Sequence, residues 1–73
     1  MISEFKAACK KLPFPCSFDH QGHLVTAIFT GDGWAMTITL DSNTGDLYPS
    51  MFDRFADEVT KEIKSHMREM SAS

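Results

Sequence analysis

The sequence predicts an α+β fold, a two-layer sandwich made of a helix, a three- or four-stranded antiparallel meander and a long C-terminal helix, in the order α-β-β-β-α. Three observations predict it. Leu24–Leu40 reads as two apolar-rich runs around Gly31-Asp32-Gly33, the pattern of a β-hairpin. Apolar residues recur at helical spacing on both sides of that hairpin, over Ile2–Leu12 and Phe52–Met70. A chain of 73 residues makes one domain with a modest core, so its helices must cover the apolar face of its sheet.

The first helix places Ile2, Phe5, Ala8, Cys9 and Leu12 on one face. Ser3 is the expected N-cap, and Glu4 suits the first turn as Lys10 and Lys11 suit the last. Pro13 biases Leu12 away from the helix and ends it. Phe14, Cys16 and Phe18 then alternate with Pro15, Ser17 and Asp19, a period of two that predicts a short strand, which Pro15 confines to a sheet edge or a strand start. Asp19-His20-Gln21-Gly22 is the expected turn into the hairpin.

The hairpin's register follows from its composition. A two-residue loop, either Gly31-Asp32 or Asp32-Gly33, sets Val25, Ala27 and Phe29 on one face with Met36, Ile38 and Leu40. A three-residue loop would turn Phe29 outward, because a one-residue slip flips a whole strand. The two-residue loop makes the better core. It leaves Leu24, Thr26, Ile28, Thr30, Ala35, Thr37 and Thr39 on the other face.

After Leu40, the run from Asp41 to Asp46 has turn chemistry, with Gly45 at a left-handed position, and Leu47 and Tyr48 form a brief strand. Ser50 is the expected N-cap of the last helix and Asp53 completes a weak capping box. From there Phe52, Phe55, Ala56, Val59, Ile63, His66, Met67 and Met70 form an apolar stripe. A helix over Met51–Met70 would be about 30 Å long. A short sheet does not cover all of it, so Met67 and Met70 are the candidate contacts of a homodimer. Met1 to Ser73 reads as a complete single domain, with a flexible tail at residues 71–73.

Composition narrows the function. The formal net charge is -3, which disfavours duplex nucleic acid as a partner. No segment approaches membrane-spanning length, and the N-terminus lacks the apolar core of a signal peptide. Two cysteines are too few for a disulfide scaffold and suit a reduced, cytoplasmic protein.

Candidate chemistry is sparse. Cys9, Cys16, His20 and His23 have metal-ligand side chains, but their spacing matches no familiar zinc pattern. A third reading is a small enzyme that uses Cys16 with His20 or His23, and it lacks a visible orienting group. Gly31 and Gly33 are turn glycines with no phosphate-binding pattern around them. No catalytic residue, cofactor or metal is therefore expected.

The more informative feature is the second face of the hairpin, whose seven positions carry no charge in a chain with 23% charged residues. A neutral, mildly apolar sheet face centred on Ile28 suits protein binding. The candidate binding residues are Thr26, Ile28, Thr30, Thr37 and Thr39, with Trp34 as an anchor beside the loop. The leading expectation is a non-enzymatic, cytoplasmic module that binds, masks or inhibits another protein, as accessory proteins of phages and mobile elements do. The alternative is a nucleic-acid-associated regulator, which needs Lys6, Lys10 and Lys11 to converge with Lys61, Lys64 and Arg68.

The element order resembles that of double-stranded-RNA-binding domains. Those domains present lysines at the start of the second helix, where this chain has Phe52, Asp53 and Asp57. Phe5 to Leu40 loosely resembles the first half of type III secretion chaperones: a helix, Leu12-Pro13-Phe14 and Ser17-Phe18-Asp19, then a hairpin. A chaperone-like role is what that likeness implies.

Overall fold

A computed structural model describes residues 1–72. Helix α1 spans Ile2–Lys10, and strands β1 (Cys16–Gln21), β2 (Leu24–Gly31), β3 (Trp34–Asp41) and β4 (Leu47–Pro49) follow. Helix α2 spans Arg54–Ala72. The strands form one antiparallel meander in the order β1-β2-β3-β4. Both helices pack on the same side of it, giving the two-layer α+β sandwich.

The register of the central hairpin follows from which side chains must avoid water. Gly31 pairs with Trp34, so the loop is Asp32-Gly33, and Phe29 lies opposite Met36, Ala27 opposite Ile38 and Val25 opposite Leu40. All six of these core residues are buried, together with Phe5, Ala8, Cys9 and Leu12 from the α1 segment and Ala56, Val59 and Ile63 from α2. Fully burying a side chain of the size of Phe, Ile or Leu contributes roughly 1.5–3 kcal/mol, so this face is the main source of stability.

The strand ends differ from the sequence expectation. Strand β1 begins at Cys16 rather than Phe14, because Pro13 and Pro15 have no N–H to give a ladder. It continues through Asp19, His20 and Gln21, where a turn was expected, and the loop is the two residues Gly22 and His23. Gly22 takes a φ of 60°, as the first residue of so tight a loop requires.

Helix caps also differ. Ser3 does not cap α1; its hydroxyl donates to Glu4 Oε1 at 2.8 Å, while the α-amino group of Met1 lies 2.8 Å from Glu4 Oε2. Ser50 is not the cap of α2. Its N–H donates to Thr37 O at 2.8 Å and its Oγ accepts from Thr37 N–H at 3.0 Å, so it prolongs the β3–β4 pairing. Asp53 is the cap, with Oδ1 accepting from Ala56 N–H at 2.8 Å. The helix therefore starts at Arg54, and Phe52 falls outside the apolar stripe, 93% exposed. Its far end includes Ser71, where a tail was expected, while Ser73 lies outside the described residues. Met67 and Met70 are half-buried against the core rather than left bare.

Candidate functional site

Strand parity assigns the two faces. Ser17, Asp19 and Gln21 on β1 lie opposite Ile28, Thr26 and Leu24 on β2. Thr26, Ile28 and Thr30 lie opposite Thr39, Thr37 and Ala35 on β3, and Tyr48 on β4 lies opposite Thr39. These residues make the face that neither helix covers. Five of the six expected binding residues, Thr26, Ile28, Thr30, Thr37 and Thr39, thus come together there.

The centre of that face is neutral. Thr26 and Thr39 join their hydroxyls at 3.0 Å across the strands, which satisfies both without a charge. Ile28, Thr37 and these two threonines are half-buried by their neighbours, and Leu24 and Tyr48 are more open, at 37% and 53% exposed. Beside Ile28 and Thr30, residues Pro15 to Ser17 border an open depression of about 220 Å³. Charge enters only at the margin, and it is negative. Asp19 accepts from Gln21 Nε2 at 3.1 Å, and Asp41 accepts through Oδ1 from Asn43 N–H at 2.9 Å. Tyr48 was not among the expected binding residues; only its pairing with Thr39 assigns it to this face.

Trp34 is elsewhere. It shares the parity of Met36, and its indole folds back over Gly31 on the helix side of the sheet. There it meets Phe14 at 5.3 Å and Phe55 at 5.2 Å between ring centroids, and Phe14 and Phe55 meet at 5.7 Å. All three pairs are edge-to-face, the arrangement the ring quadrupoles favour. Beside this cluster, Trp34, Met51, Asp53 and Phe55 line an open cavity of about 370 Å³.

The other candidate groups do not assemble. Cys16 and His20 share a face of β1 but stand four residues apart, roughly 13 Å along a strand. His20 Nε2 is 3.0 Å from Gly22 O, and His23 sits in the turn. Among the described residues no group of three or more His, Cys, Asp or Glu side chains is placed to hold a metal ion. Both cysteines are free. Burial pushes the Cys9 thiol up to about 12, with a smaller contribution from nearby Cys16, so Cys9 is a poor nucleophile. Lys6 lies 5.7 Å from the Phe18 ring centroid, while Lys64 and Arg68 line a groove at the N-terminal end of α1 with Met1, Glu4 and Asp46. Lys64 and Arg68 thus share their groove with the carboxylates of Glu4 and Asp46.

No family model, curated protein or solved structure matches this chain. Among the described residues no helix is long and apolar enough to cross a membrane.

Proposed function

We propose that this chain is a small, non-enzymatic protein-interaction module, and that its uncovered sheet face binds, masks or inhibits another protein. The observation that carries the reading is that face: Thr26, Ile28, Thr30, Thr37 and Thr39 on adjacent strands, without a charge among them and without a helix above them. Exposed sheet faces normally hold charged side chains that discourage association. A partner that covers Ile28 gives a reason for their absence. Leu24 and Tyr48 extend the surface, and the carboxylates at its margin favour a partner whose rim is neutral or basic.

The reading places the protein in the cytoplasm, where Cys9 and Cys16 stay reduced. Its small size and acidity suit an accessory inhibitor of the kind phages and mobile elements carry. Self-association through Met67 and Met70 is a lesser part of the proposal, since both already pack partly against the core.

The test replaces Ile28 with Lys and compares capture from native lysate with thermal stability. Ile28 is only half-buried, so the change is expected to cost no more than about 1 kcal/mol of strand preference. Capture lost at a melting temperature within about 4–8 °C of the parent supports the proposal. Capture retained refutes it.

A further inference from the structure

The cavity beside the aromatic cluster lies on the helix side of the sheet, away from the surface proposed above. Its lining is almost wholly apolar: Trp34, Met51 and Phe55. Asp53 is its one charged member. The carboxylate of Asp53 is half used, since Oδ1 caps α2 by accepting from Ala56 N–H, and no bond to Oδ2 is found among the described residues. Asp57 follows one turn later on the same side of the helix. The neighbouring cation does not enter the cavity, because Arg54 is held by Glu58, Nε to Oε1 at 3.1 Å. Phe52 stands next in the chain to two lining residues with its ring free.

From this arrangement we infer that the cavity is a second docking site, and that its occupant is an arginine-bearing, basic segment of another protein. A guanidinium has the two properties the lining asks for. It stacks on aromatic faces, with indole the best of them, and it pairs in its own plane with a carboxylate. Laid against Trp34 and Phe55, it reaches the second carboxylate oxygen of Asp53. The flexible thioether of Met51 and the free ring of Phe52 can close over its methylene stem. An acidic segment would meet Asp53 and Asp57 unfavourably, and a neutral apolar segment would leave Asp53 Oδ2 with nothing to accept from.

Trp34 is the single tryptophan of the chain, so its indole N–H gives one resonance, from a ring that lines this cavity. The probe is acetylated, amidated hexa-arginine, titrated into the full chain at about 0.15 M salt, where long-range attraction is screened. Hexa-citrulline, which keeps the shape and removes the charge, is the control. The variant is Asp53→Asn, which keeps the N-cap and removes the carboxylate. Hexa-arginine is expected to shift the resonances of Trp34, Met51 and Phe55, and Asp53→Asn to weaken it about tenfold, the worth of one charged hydrogen bond. Equal shifts with hexa-citrulline would overturn the inference, as would unchanged affinity in Asp53→Asn or shifts that spare Trp34. So would the same shifts appearing on concentration alone, which would make the occupant a second copy.

Discussion

Replacing Gly31 by alanine puts a methyl group where the Trp34 indole lies. A Cβ built at Gly31 overlaps Cε2, Nε1 and Cζ2 of that ring. The φ of Gly31 is not positive, so its backbone does not demand glycine; only the ring does. Moving the indole breaks its edge-to-face contacts with Phe14 and Phe55, worth about 0.5–1.5 kcal/mol each. Alanine returns about 0.4–1 kcal/mol by restricting the unfolded chain. The central values leave a net loss of about 1.3 kcal/mol, a fall in melting temperature of roughly 5–10 °C for a domain of this size. A double-mutant cycle in thermal and urea melts isolates the cause. With Trp34→Ala already present, Gly31→Ala should be neutral or stabilising by up to about 1 kcal/mol. The same loss in both backgrounds would show that the backbone, and not the indole, requires glycine.

Three further outcomes are expected. Cys16 should react with iodoacetamide in the folded protein near pH 8 while Cys9 resists until urea unfolds it; equal labelling in the native state would contradict the burial of Cys9. The proton on Cys9 is held more tightly when folded, so the stability this contributes is full below the ordinary thiol value of 9.0 and is lost as pH rises toward about 12. Changing Met67 and Met70 together to Glu should turn any dimer seen in sedimentation to monomer. Because both are half-buried, a loss of about 1–3 kcal/mol should accompany it, and a dimer that survives the change must use another surface.

The central hairpin was legible because its two signals agree. Strict alternation fixes which side chains share a face, and only one loop length buries Phe29 with Met36 and Ile38. The uncovered face follows from the same parity. The same rule applied to Trp34, two residues before Met36, assigns it to the buried side; its position next to the loop argued the other way, and parity prevailed. Ser50 shows where local chemistry is ambiguous. A serine oxygen accepts as well from a helix N–H as from a strand N–H, and the pairing with Thr37 decided it. Asp53, three residues on, then took the cap, and Phe52 was left in solvent. Tyr48 joined the candidate face only through the pairing of β4 with β3, which three residues of sequence do not specify.

If the uncovered sheet face is where the protein meets its partner, that partner lies within reach of Thr37 and Thr26. Site-specific photocrosslinking in native cells tests this most directly, with benzoylphenylalanine placed in turn at Thr37 and Thr26, and at Lys61 on the exposed side of α2. One adduct of the same mass is expected from Thr37 and Thr26, lost when Ile28 is also changed to Lys, and none from Lys61. An adduct from Lys61 with none from either threonine would contradict the proposal.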